Sequence, residues 1–238
     1  AALIFSGTLF DQTAQLKAFE AFLLFCIFSS ATYLLNDVFD VERDKLHPFK
    51  QKRPIASGLV PIPLAVSLAL LSIAIFLPFA YKLSPAFFFA TLTYLIIQLF
   101  YSAFLKRIIL IDVLAIAAGF VLRVYGGVWA IDAHLNVWFL LCVTSFALFL
   151  AIGKRRSERT LISSVTFPHR ETLLHYPENL LDILTSMFAN STWLTYAFFA
   201  FLQPPIQARH LPIPEAKYLM ATVPVVLYAV MRYLYIIY

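Results

Sequence analysis

Charge is scarce in this sequence: only 13% of its 238 residues are Asp, Glu, Lys or Arg, against 61% hydrophobic. That is too apolar for a soluble domain of this length and points to a chain that crosses a bilayer several times. Cysteine is nearly missing. Cys26 and Cys142 both lie inside apolar runs and read as small buried or lipid-facing residues, which excludes a disulfide framework and a redox pair. The five histidines show neither metal-ligand spacing nor a Ser-His-Asp order, so neither a zinc site nor a nucleophilic triad is expected. Glycine numbers six, and because no strand precedes Gly119 or Gly126-Gly127, these read as points of close helix packing and not as a phosphate loop. Residues 1–10 have no basic start and no small-residue cleavage site, so no cleavable signal is expected there. No soluble domain, low-complexity tract or internal repeat is visible.

What the chain has in abundance is apolar runs. They predict an all-α, polytopic helical bundle forming a single transmembrane domain over residues 1–238, with seven complete spans near 18–36, 62–81, 85–104, 109–131, 135–152, 180–202 and 217–237. Each is close to the ~20 residues that cross ~30 Å of hydrocarbon. Pro78 falls inside the second of these and is expected to kink it or end it early. The longest polar segment, 153–179, is expected to hold a short interfacial helix. Loops after the first, third and fifth spans carry twelve basic residues, against four on or beside the opposite loops. The positive-inside rule therefore puts that face in the cytoplasm. The excess of basic residues is a topological signal, and no nucleic-acid partner is expected.

One polar stretch stands out: Asn36-Asp37-Val38-Phe39-Asp40-Val41-Glu42-Arg43-Asp44, continuing to Lys50, Lys52 and Arg53-Pro54-Ile55-Ala56-Ser57-Gly58. If the first span stays helical, Asp37, Asp40 and Asp44 at i, i+3 and i+7 share one face. Three carboxylates so close repel one another until a divalent cation, Mg²⁺ for an all-oxygen set, neutralises them and holds a diphosphate in turn. The bases that follow suit a polyanionic ligand.

A second constellation is Tyr101, Lys106, Asp112 and Arg123. Asp112 and Arg123 are eleven residues apart, within ~20° of three full turns, so they share a face. At ~16 Å along the axis they are too far apart to pair directly, and each must find another partner. Lys106 and Arg123 suit ligand phosphates, and Asp112 a metal or a sugar hydroxyl. The third cluster is Gly153-Lys154-Arg155-Arg156-Ser157-Glu158, in which Lys154 and Arg155 are candidate phosphate ligands and Glu158 orients them. Tyr176, Asp182 and Asn190 are read as structural polar contacts.

The pattern N-D-x-x-D-x-x-x-D followed by R-P-I-A-S-G resembles the first aspartate-rich motif of the UbiA superfamily of intramembrane prenyltransferases. His47-Pro48-x-Lys50 before Arg53-Pro54, the Y-S-x-x-L-K at Tyr101–Lys106, and G-K-R-x-x-E at Gly153–Glu158 are similar to the decaprenyl-phosphate phosphoribosyltransferase branch. Members that use prenyl diphosphates carry a second D-x-x-x-D, whereas Ile116 stands four residues after Asp112 here. The resemblance implies a nine-helix fold whose first and last helices are expected to be missing from this chain. It implies Mg²⁺ on Asp37, Asp40 and Asp44, with these and Asp112 catalytic. Asn36, Lys50, Arg53, Tyr101, Lys106, Arg123, Lys154, Arg155 and Glu158 would bind substrate. The implied reaction moves 5-phosphoribose from phosphoribosyl pyrophosphate to a polyprenyl phosphate such as decaprenyl phosphate, giving an arabinose-donor precursor for cell-envelope polysaccharide. Two alternatives stand beside it: prenyl transfer to an aromatic or tetrapyrrole acceptor, and a non-enzymatic lipid or anion transporter. Isoprenoid length, and whether the protein works alone or as a homo-oligomer, are left open by the sequence.

Overall fold

A computed structural model describes residues 2–134, 136–162, 176–202 and 219–238, with side chains of 160–162 left aside. Among the described residues all regular structure is helical: α1 (Ala2–Phe5), α2 (Gln12–Leu46), α3 (Ile62–Leu83), α4 (Pro85–Ala103), α5 (Ile111–Ala130), α6 (Val137–Ile162), α7 (Glu178–Leu202) and α8 (Val223–Ile237). Short 3₁₀ turns at Lys50–Lys52 and Leu105–Arg107 lie on the connections after α2 and α4. Of the segment 153–179, in which an interfacial helix is expected, residues 153–162 continue α6 and 163–175 lie outside the described residues.

Five helices, α2 to α6, are long and apolar enough to cross a membrane, and this is an integral membrane protein. α7 has the length but carries Glu178, Asp182 and Asn190. α8 is a shorter apolar helix of 15 residues among those described.

Local chemistry sets the ends. The Asp11 carboxylate accepts from the backbone N–H of Thr13 at 2.8 Å and of Ala14 at 3.4 Å, which starts α2. Ser84 accepts from Phe87 N–H at 3.4 Å and, with Pro85 at the first helical position, starts α4. Pro78 does not stop α3, which runs on to Leu83. α2 differs most from the span expected: it continues ten residues beyond 36, because Glu42, Arg43 and Lys45 are good helix formers and no Gly or Pro intervenes before Pro48. Its 35 residues reach ~50 Å. The helix therefore outruns the hydrocarbon, and its last turns stand at the membrane surface.

The bundle packs small residues and rings inward and leaves many large aliphatic side chains for lipid. On α3 only Ala65, Ala69 and Ala80 are buried, while Leu70, Leu71 and Ile75 face out. One core joins α2, α3 and α4 through Phe28, Ala80, Phe87 and Tyr94. Another joins α5, α6 and α7 through Val113, Leu148 and Leu181, together with Tyr176. Gly126 is needed for a close approach: a Cβ there would lie 2.5 Å from Cε2 of Phe25. That ring cannot swing away, since it packs edge-on against Phe87 and Tyr94 at 5.2 and 5.7 Å between centroids. Gly126→Ala is expected to destabilise the protein by about 1–3 kcal/mol, the usual range for overpacking. Thermal melts in detergent should show the loss, and Phe25→Leu in the same chain should restore most of it.

Candidate functional site

The polar end of α2 is where the chain gathers its acids. Asp40 and Asp44 are buried and Asp37 is half-buried. Asp37 and Asp44, seven residues apart on one face, both point at the loop that returns after the Lys50–Lys52 turn. There Nη1 of Arg53 lies 2.8 Å from Oδ1 of Asp37 and 2.8 Å from Oδ2 of Asp44. Asp40, between them in sequence, instead receives Nζ of Lys106 at 2.7 Å. Lys106 is 2% exposed on the Leu105–Arg107 turn. An ammonium so deeply buried is tolerable only with a partner of opposite charge. Two cations thus answer three aspartates, Arg53 bridging Asp37 and Asp44 and Lys106 holding Asp40, which offsets the repulsion of three like charges on one helix face.

The second group is built around Asp112, in the first turn of α5 and 2% exposed. Its Oδ2 accepts from Nε of Arg155 at 2.7 Å and its Oδ1 from the Tyr176 hydroxyl at 2.6 Å. Arg155, itself buried, also donates Nη1 to Glu158 at 2.6 Å and Nη2 to the Tyr101 hydroxyl at 3.3 Å. The guanidinium fork is held on three sides, a geometry a lysine cannot reproduce. The Tyr176 phenol, 1% exposed, is pushed well above its ordinary pKa, first by burial and then by its hydrogen bond to Asp112. It therefore remains a proton donor throughout the neutral range.

The two groups share one end of the bundle. Ser102 donates to Oδ1 of Asn36 at 3.1 Å, beside Tyr101, and the short connection that carries Lys106 leads into the first turn of α5, which carries Asp112. Five carboxylates in this network (Asp37, Asp40, Asp44, Asp112, Glu158) face three bases (Arg53, Lys106, Arg155). Two negative charges are left over, the charge of one divalent cation, and the donors are all hard oxygens, which suits Mg²⁺. Among the described residues no three acidic, His or Cys side chains already stand as a metal-holding group, and Arg53 and Lys106 hold their oxygens instead.

Two expected site residues, Lys50 and Lys154, are exposed at the edges of this network. Arg123 lies elsewhere: Nη2 donates to the Tyr94 hydroxyl at 2.7 Å, and the guanidinium stands over the Tyr94 and Phe120 rings at 5.1 and 5.7 Å. It finds the separate partner its spacing from Asp112 demanded, and that partner is a tyrosine within the membrane, not an acid. Arg156 reaches Asp182 at 2.7 Å and the Ile237 carbonyl, joining α6, α7 and α8. The sequence pattern places Tyr176 among structural contacts and gives Ser102 no role beyond its place in the Y-S-x-x-L-K run. Neither has a local signal, since their partners lie 64 and 66 residues away.

The family model described as the UbiA prenyltransferase family matches residues 2–235. The chain belongs to that family. Its curated relatives include the decaprenyl-phosphate phosphoribosyltransferase of Mycolicibacterium smegmatis, 34% identical over 201 residues, covering 84% of this chain and 63% of the relative. The protein of the same name from Corynebacterium glutamicum is 33% identical over 198 residues, covering 82% of this chain and 60% of the relative. This UbiA-family chain thus spans less than two thirds of the length of these two relatives. In fold it is similar to a UbiA homologue from Archaeoglobus fulgidus solved with GPP and Mg²⁺ bound, with a TM-score of 0.74 at 20% identity, covering 92% of this chain and 75% of the other.

Proposed function

We infer that this protein is a membrane phosphoribosyltransferase that moves 5-phosphoribose from phosphoribosyl pyrophosphate to a polyprenyl phosphate, on the cytoplasmic face of the plasma membrane. The observation that carries the choice of donor is the Asp112–Arg155–Glu158 network. Where prenyl diphosphate users have a second acidic pair, one buried carboxylate here holds a guanidinium, which suits an additional phosphate better than a second metal. The name shared by the two relatives above, decaprenyl-phosphate phosphoribosyltransferase, supports phosphoribosyl as the transferred group and a polyprenyl phosphate as its acceptor.

Asp37, Asp40 and Asp44 would hold Mg²⁺, which when bound supplies charge neutralisation to the departing diphosphate. Arg53 and Lys50, on the loop beside those acids, would turn toward diphosphate oxygens. Lys106, Arg155 and the exposed Lys154 would screen the sugar 5-phosphate and lipid phosphate from each other, and Tyr101 and Asn36 would orient groups at the same end of the bundle. Arg123, deeper in the membrane, would meet a ligand anion only if that anion were drawn toward Tyr94. An oxygen of the lipid phosphate forms the new bond to ribose C1 as the bond from C1 to diphosphate breaks, and the electron pair leaves with pyrophosphate. That nucleophile is already anionic, so no strong general base is required. The residues instead bind, orient and offset repulsion between phosphates.

Membranes containing the protein should be offered phosphoribosyl pyrophosphate with decaprenyl phosphate, and in parallel geranylgeranyl diphosphate with an aromatic acid. Mass spectrometry is expected to find the phosphoribosyl lipid only, in the presence of Mg²⁺ and not with EDTA. Prenylated acceptor without phosphoribosyl lipid would assign the chain to aromatic prenyl transfer instead.

A further inference from the structure

Tyr176 makes two hydrogen bonds through one oxygen, and they point at the same short turn. Its hydroxyl donates to Oδ1 of Asp112 at 2.6 Å and accepts from the backbone N–H of Leu110 at 2.6 Å. Leu110 caps the start of α5 with φ of 67°, on the side of backbone space that side chains other than glycine rarely adopt. No side chain of its own caps that helix start. A leucine in this conformation persists only where its surroundings hold it. The surroundings here are the phenol, delivered from just before α7, 66 residues along the chain.

The Leu110 turn stands between Lys106, which reaches Asp40, and Asp112, which holds Arg155. A shift in the Leu110 turn would move both ion pairs, and with them the relation between the α2 acids and the Arg155 fork. Building on the function inferred above, we propose that Tyr176 is a positioning residue: its hydroxyl locks the Leu110 turn so that Lys106 and Asp112 are presented together. Because the hydroxyl touches neither Arg155 nor the α2 acids, it acts through these residues. The ring belongs to the buried cluster that includes Val113, Ala147 and Leu181, so removing only the oxygen leaves its apolar packing in place.

The test is Tyr176→Phe, studied in the complete chain in detergent or nanodiscs. Turnover per folded enzyme is expected to fall ~10–100-fold with donor KM changed less than ~3-fold, the size of loss that a misplacement of about 1 Å produces. Independently of activity, hydrogen exchange over residues 104–112 should become at least ~10-fold faster. Leu110→Gly placed on top should recover much of the lost turnover, since glycine adopts the positive φ without help. A variant whose kinetics and exchange both match wild type, with only a lower melting temperature, would reduce Tyr176 to core packing and overturn the proposal. If Tyr176→Phe does not accumulate as folded protein, the double variant decides: folded, active protein supports the lock, and continued loss refutes it. Should the wild type use a prenyl donor, the inferred function falls while the kinetic comparison runs with that donor. Should it turn over neither, the exchange measurement alone decides.

Discussion

Asp40→Asn is expected to reduce turnover to below about one thousandth of wild type, at or beyond the upper end of what removing one preorganised electrostatic group costs an enzyme. Asparagine keeps the size and can still accept from Nζ of Lys106, which the aspartate does at 2.7 Å. What it loses is the charge. Lys106 then loses the carboxylate that Asp40 offers it, and the proposed metal-holding set is one anionic oxygen donor short. Folding is expected to survive with a lower melting temperature, because the hydrogen bond remains. Phosphoribosyl-lipid formation in membranes, with size-exclusion behaviour of the purified protein as the control for folding, measures both. Near-normal turnover would remove the metal assignment from the α2 acids. Adding Lys106→Met to Asp40→Asn should recover stability and leave activity lost, which separates the charge-pair contribution from the chemistry.

Removing Arg155 should have the second-largest effect, and a different signature. Arg155→Met leaves Asp112 buried with its charge unanswered and Glu158 without its closest base. Truncating one partner of a buried ion pair costs about 3–5 kcal/mol, a large fraction of the stability of a domain. Poor accumulation in the membrane is the expected result. Arg155→Lys restores charge and is expected to restore folding, yet kcat/KM should remain ~100-fold down, because one ammonium cannot reach the three oxygens the guanidinium holds. If the lysine variant were as active as wild type, Arg155 would be a charge anchor without a role in orienting substrate. The two experiments diverge usefully: loss at Asp40 should spare the fold, and loss at Arg155 should not.

Much of this arrangement was legible from local pattern. Asp37, Asp40 and Asp44 share a face because their spacing matches helical periodicity, and α2 continues through them as that reading required. The absence of a local breaker until Pro48 made the continuation readable. Gly126 likewise proved a packing glycine, as expected for a chain with no strand before it. Five of the seven expected spans have the length and apolarity to cross a membrane among the described residues. Of the two outcomes expected at Pro78, an early end does not occur, since α3 continues to Leu83. Membrane helices tolerate proline because their surroundings can re-satisfy the freed carbonyl.

By itself the sequence determined that the chain crosses a membrane as helices, which face of α2 is acidic, and which end of the bundle is basic. These follow from hydropathy and from a period of 3.6 residues, and both are properties of short stretches. Only the tertiary structure decided which base answers which acid: Lys106 to Asp40 across 66 residues, Arg155 to Asp112 across 43, and Tyr176 to Asp112 across 64. It also took Arg123 away from that network and gave it to Tyr94. Charge chooses its partner by distance and burial, and those exist only once the helices have packed.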